Sequence, residues 1–245
     1  MLLDHTNEVL CELRKRTDRV ILFYSGGKDS ITLLHLIRQH QFKEVVCVYM
    51  AFIKGLSHNR HLLDWVKPQT LLEVQHWATT EYLSKNYMRM QTKTEVKQLK
   101  QADIENYVRA KTGIDWIITG MKQCDSINRR VMLRQFESDA IDNKGKRVHP
   151  LSRWTNKQVW SFLRISKLPM PIQYEPGKSS QGIDLDAGVL KWFKDHHKAD
   201  YDKIISVFPL AESNLMYEHD KVSSIHASNN SARKNKKRPV QSPKD

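Results

Sequence analysis

Between Ser25 and Ser30 the chain reads Ser-Gly-Gly-Lys-Asp-Ser, a polar insert between two apolar stretches of different periodicity. Adjacent glycines let backbone N–H groups approach an anion without Cβ obstruction, and a helix starting just after them adds unpaired donors and partial positive charge. Ser25 and Ser30 bring hydroxyls and Lys28 a cation. Asp29 is the informative residue, because a carboxylate beside bound phosphates is repulsive unless it caps the helix or holds a magnesium ion. The combination suits the phosphate chain of a nucleotide better than simple anion storage. It is not a Walker A loop, which has four residues between its glycines, nor a G-x-G-x-x-G fingerprint.

The flanking elements decide whether such a loop can act. Arg19–Tyr24 (RVILFY) has the form of a strand buried on both faces, and Ile31, Leu33, Leu34, Leu36 and Ile37 lie on one face of a helix. Glu44–Met50 reads as a second buried strand, so the loop sits inside a βαβ unit with a right-handed crossover. The spacing predicts helices over Leu2–Thr17, His58–Val66, Trp77–Lys85 and Thr94–Lys111, the last stopped at Gly113, with strands at Thr70–Gln75 and Trp116–Thr119. Asp142–Arg147 marks a turn in a hairpin or exposed loop, and Thr155-Asn-Lys-Gln158 has the form of a capping box opening a helix to Ser166. Further helices are expected over Asp186–His197 and Asp200–Val207. Repeated βα alternation predicts an α/β fold: an open, mostly parallel twisted sheet with helices on both faces. One domain is expected over residues 1–220, followed by a disordered basic tail over 221–245.

Composition narrows the partners. The formal charge is +13, of which the stretch from Lys221 to Asp245 carries +6, so the body is moderately basic and favours anionic ligands. The run Lys234–Pro239 (KNKKRP) offers an electrostatic contact to nucleic acid or to a protein partner. No apolar run is long enough to span a bilayer, and the charged N-terminal stretch does not read as a secretory signal. With only Cys11, Cys47 and Cys124, no disulfide framework, zinc site or iron–sulfur cluster is expected, and a cytoplasmic setting follows. His58 and His61 are spaced to share a helix face, but lack an evident third ligand. His196 and His197 are adjacent and should project apart, while Trp154, Trp160 and Phe162 suit either base stacking or a buried helix face.

Four segments together carry a family likeness. Ser25–Ser30 resembles the PP-loop of the nucleotide α-hydrolase superfamily, also called ATP pyrophosphatases, and within it the phosphoadenosine-phosphosulfate (PAPS) reductase family. Trp116–Arg130 (WIITGMKQCDSINRR) is similar to that family's strand ending in Thr-Gly and its basic loop. His149–Trp160 and Leu168–Gly182 resemble its NPL…W…VW and LP…Y…G…S.G segments, and the likeness covers roughly residues 15 to 190. It implies an adenine nucleotide, ATP or a relative such as PAPS or APS, together with magnesium. In that reading Ser25, Gly26, Gly27 and Ser30 hold pyrophosphate, Lys28 stabilises developing charge, and Asp29 positions magnesium or the loop. Gly120, Lys122, Arg129 and Arg130 lie across the crevice, the two arginines on a second anionic group.

The likeness has limits that shape the expected reaction. PAPS reductases attack with a cysteine in a Cys-Gly-x-His setting near the C-terminus, and no cysteine follows Cys124 here. The Asp-Thr-Gly usual after the second strand is replaced by Met50-Ala-Phe-Ile-Lys-Gly-Leu. The expected chemistry is therefore cleavage of ATP at the α–β linkage, adenylylating an acceptor and releasing pyrophosphate. A reductase using Cys124 or a partner's thiol, and a nucleotide-binding regulator or nucleic-acid-modification protein without turnover of its own, are the alternatives.

Overall fold

A computed structural model of the chain describes residues 2–90, 95–174 and 183–216. They belong to two compact units, one built from Met1–Tyr87 and Gln91–Ile183, the other from Met88–Met90 and Asp184–Asp245. The first holds the sheet. Strands β1 (Arg19–Phe23), β2 (Glu44–Ala51), β3 (Thr70–Gln75), β4 (Ile117–Ile118), β5 (Ile141–Asp142) and β6 (Arg147–Val148) lie in the order β3-β2-β1-β4-β6-β5. Every neighbouring pair is parallel except β5–β6.

Alternation along the strands explains why the sheet is covered on both faces. Val20 and Leu22 of β1, Val45 and Cys47 of β2 and Ile118 of β4 share one core with α1 (Leu2–Arg16), α2 (Lys28–Gln39) and α7 (Asn156–Ile165). Their neighbours Ile21, Val46, Val48 and Ile117 enter a second core with Ile104 and Val108 of α5 (Gln101–Thr112). A period-2 pattern of apolar residues on both sides leaves these strands no solvent face.

Local signals set most boundaries. The Thr155 hydroxyl accepts from the Gln158 N–H at 3.3 Å, and the Gln158 side chain accepts from the Thr155 N–H at 2.7 Å, a closed capping box ahead of α7. Gly113 ends α5 at φ 65°. The 142–147 turn joins β5 to β6 as a hairpin. Two helices differ in extent from those expected over His58–Val66 and Thr94–Lys111. The first, α3, covers only Arg60–Asp64, because His58 and Asn59 turn inward and are buried. The second, α5, begins at Gln101, where the Asp103 carboxylate accepts from the Lys100 N–H at 2.7 Å; residue 94, where a start was expected, lies outside the described residues. Helices α4 (Trp77–Ser84) and α6 (Ile127–Leu133) complete this unit.

The aromatic trio resolves as packing. Trp154 is buried and donates from its indole nitrogen to Thr6 of α1 at 2.9 Å, and Phe162 meets it edge-on at 5.5 Å. Trp160 and Phe162 pack against the same core. In the second unit, α8 (Ala187–His196) is capped by Asp186 and precedes α9 (Lys198–Val207). Here the rings of His196 and His197 both stack on Trp192, at 5.2 and 5.1 Å. No helix among the described residues is long and apolar enough to cross a membrane. The 221–245 tail and the 175–182 part of the Leu168–Gly182 segment lie outside the described residues.

Candidate nucleotide-binding site

Strand order brings the site together. The crossover from β1 through α2 leads to β2 on one side, while β4 pairs with β1 on the other, so the strand order reverses between β1 and β4. Open α/β sheets bind ligands at such a switch point, beyond the strands' carboxyl ends. Ser25–Gly27 leaves the end of β1 there and Thr119–Gly120 leaves the end of β4.

Within the loop, Gly26 has φ +72°, a left-handed backbone that favours glycine, and a Cβ on it would meet Leu62 Cδ1 at 3.3 Å. Gly27 caps α2 with no side-chain hydrogen bond, so the first turn of a 12-residue helix faces the loop without a capping oxygen. Ser25 and Ser30 draw the loop closed: Ser25 Oγ accepts from the Gly27 N–H at 3.2 Å, and Ser30 Oγ donates to the Gly27 carbonyl at 3.0 Å. The two hydroxyls stand 3.4 Å apart.

On the β4 side of the loop lies a chain of charges. Lys28 Nζ donates to Asp29 Oδ2 at 3.0 Å, and Lys122 Nζ stands 2.9 Å from Asp29 Oδ1. Lys122 also pairs with Asp125 Oδ1 at 3.1 Å, and Arg129 donates to Asp125 Oδ2 at 3.0 Å. The lysine side chains are only 8% and 1% exposed, so these pairs are shielded from solvent in a way surface ion pairs are not. Burial would raise the Asp125 carboxyl, but the charge and hydrogen bonds of Lys122, with Arg129 beyond, outweigh it and hold it below the usual carboxylate range. Gly120 is needed for this approach: a Cβ there would lie 2.7 Å from the Asp29 Cβ.

On the β2 side the loop borders an apolar cleft of about 160 Å³, lined by Phe23, Tyr24, Val48, Met50, Leu62 and Ile172 among others. An apolar cavity of roughly 150 Å³ accepts one benzene ring. Its polar edge includes Asn59, whose amide nitrogen donates to the Tyr49 hydroxyl at 2.7 Å and whose carbonyl oxygen is buried with no hydrogen-bond partner. Tyr174 also lines it, 2.9 Å from His58 Nε2. Neither lysine nor Asp29 lines the cleft.

Of the residues singled out from sequence, Ser25, Gly26, Gly27, Lys28, Asp29 and Ser30 meet Gly120, Lys122 and Arg129 at adjoining strand ends. Arg130 is exposed on α6 without an ion pair among the described residues. Asp29 does not fit the expected magnesium ligand. One oxygen carries the Lys28 hydrogen bond, and the other is sealed from solvent against Lys122, whereas magnesium demands octahedral oxygens and keeps several waters. No group of three or more His, Cys, Asp or Glu among the described residues is arranged to hold a metal ion. His58 is buried and His61 exposed, so the HNRH pair shares no face. Cys124 is exposed with its sulfur 3.9 Å from an Asp125 oxygen, and its basic neighbours Lys122 and Arg129 are paired with that carboxylate. Sequence reasoning passed over Asp125 and Asn59. Asp125 did carry a signal, since it is the acid three residues after Lys122 and four before Arg129.

A Gly-Gly loop at the switch point of a parallel sheet, beside two buried lysines, defines an α/β protein of the PP-loop class. The phosphoadenosine phosphosulfate reductase domain matches residues 19–194, and the chain belongs to this family. It is 25% identical over 192 residues to sulfate adenylyltransferase subunit 2 of Agrobacterium fabrum, covering 66% of this chain and 60% of that one. It is likewise 25% identical over 195 residues to sulfate adenylyltransferase subunit 2 of Mycolicibacterium vanbaalenii, covering 68% and 61%. The chain thus spans about 60% of the length of the curated relatives it matches.

Proposed function

We propose that this chain binds ATP at the β1 loop and cleaves it at the α–β linkage, transferring the adenylyl group to an acceptor and releasing pyrophosphate. One observation carries the reading: the glycine loop stands between a ring-sized apolar cleft and a buried cationic cluster. In this reading the base enters the cleft, and the backbone of Ser25–Gly27 with Ser30 holds the departing pyrophosphate. Lys28 and Lys122 offset the charge that develops on it, as preorganised cations in a water-poor site do. Arg129 and Arg130 face the acceptor's side. The relatives' names make an inorganic oxyanion such as sulfate the first acceptor to try, and their designation as a subunit makes a second chain the first partner to try. Magnesium would accompany the nucleotide phosphates without Asp29 as its ligand. Three unpaired cysteines suit the cytoplasm.

Incubation with ATP, magnesium and sulfate, followed by separation of products, tests the reading. Pyrophosphate with an adenylylated product or AMP is expected, and Lys28→Ala should abolish it. ADP and phosphate as the products would overturn it.

A further inference from the structure

A carboxylate inside a phosphate loop needs a physical reason. Both Asp29 oxygens lie within 3.0 Å of an ammonium, Oδ2 at Lys28 and Oδ1 at Lys122. The Lys122 contact is a charge pair rather than an aligned hydrogen bond, and it leaves Oδ1 sealed from solvent. Gly120 closes the Asp29 Cβ side, where even a methyl group would clash at 2.7 Å. Approach by a hydrated dication is opposed by the two ammonium groups and, at Oδ1, by the sealing of that oxygen from solvent. Conversely, an ammonium at 1% exposure has its desolvation offset by the carboxylates of Asp29 and Asp125.

We propose that Asp29 is a built-in counterion that positions Lys28 and Lys122, so that pyrophosphate enters the loop without a metal ion bridging it to this carboxylate. This rests on reading the loop as a pyrophosphate cradle. The cluster of Lys28, Lys122 and Arg129 against Asp29 and Asp125 is net +1, and Asp29→Asn makes it +2. The counterion restrains the cluster's pull on an anion in exchange for fixed ammonium positions. Removing its charge strengthens that pull.

The experiment is calorimetric titration of inorganic pyrophosphate into the full chain, wild type and Asp29→Asn, each in EDTA and in magnesium. In EDTA at low salt the variant should bind about fivefold tighter, a gain that shrinks as salt is raised. The ratio of affinity with magnesium to affinity in EDTA should be the same in both proteins. Weaker binding by the variant in EDTA, or a magnesium effect present in the wild type and lost in the variant, overturns the counterion role. Absence of pyrophosphate binding by the wild type under both conditions overturns the cradle reading itself. Should Asp29→Asn alone fail to fold, the double variant Asp29→Asn/Lys122→Met is compared with Lys122→Met in denaturant. A counterion predicts that adding Asp29→Asn costs little once Lys122 is gone, so that the double variant folds, and a further large loss overturns it.

Discussion

On its β2 side the Ser25–Gly27 loop borders rings and aliphatic carbons; on its β4 side it borders Lys122, Asp125 and Arg129. The two flanks differ in what holds them. The cleft wall is ordinary core: Tyr24 and Leu62 are buried, and the Tyr24 hydroxyl donates to the Leu62 carbonyl at 3.0 Å. The β4 flank is held by charges whose desolvation must be offset by one another, so each member depends on its neighbours. An apolar cleft can sort ligands by shape without depending on any one residue, whereas a buried charge cluster can bind a polyanion strongly but tolerates little change.

The largest expected effect lies on the charged flank. Lys122→Met leaves Asp125 and Asp29 short of a cation and should cost about 3–5 kcal/mol in denaturant unfolding, with anion affinity falling alongside. A loss below about 1 kcal/mol would break the contrast between flanks. Acid provides the next test. His149 is buried, its Nδ1 2.8 Å from the Thr119 hydroxyl, and burial lowers it from 6.5 to about 4, opposed by the charge of Asp142 and aided by that of Arg147. Since the unfolded chain binds this proton more readily, stability is unaffected above pH 6.5 and declines as pH falls towards 4, by on the order of 3 kcal/mol in all. Chemical denaturation across that range should show the decline, and His149→Gln should flatten it.

Gly120→Ala should cost about 1–3 kcal/mol by forcing the β4 end away from Asp29. Pyrophosphate titration should weaken with it, which separates a fault at the cluster from one at the cleft. Tyr24→Phe, on the apolar flank, should cost only about 1–2 kcal/mol through the unpaired Leu62 carbonyl, leaving pyrophosphate affinity within twofold. Smallest is Arg130→Ala, expected within about 0.5 kcal/mol of wild-type stability because its side chain is exposed and unpaired among the described residues. If Arg130→Ala nonetheless slows acceptor transfer with ATP affinity intact, the acceptor side extends onto α6.

What could be read without the structure was local. Gly113, Thr155–Gln158, Asp186 and the 142–147 turn each act within a few residues of themselves, and each set the element boundary expected of it. Helix extent was less legible at Arg60–Asp64 and Gln101–Thr112, because apolar periodicity does not show where the backbone turns inward or where a nearby carboxylate takes over an N–H.

The sequence by itself determined that a glycine-rich loop ends a buried strand, and that lysine, aspartate and serines accompany it, since those properties reside in contiguous residues. Only the tertiary structure decided what Asp29 meets. Its second cation arrives from Lys122, far along the chain, because β4 pairs with β1 and Gly120 permits contact. Two charges so distant in sequence attract only once strand order has placed them together and burial has removed the water that would screen them.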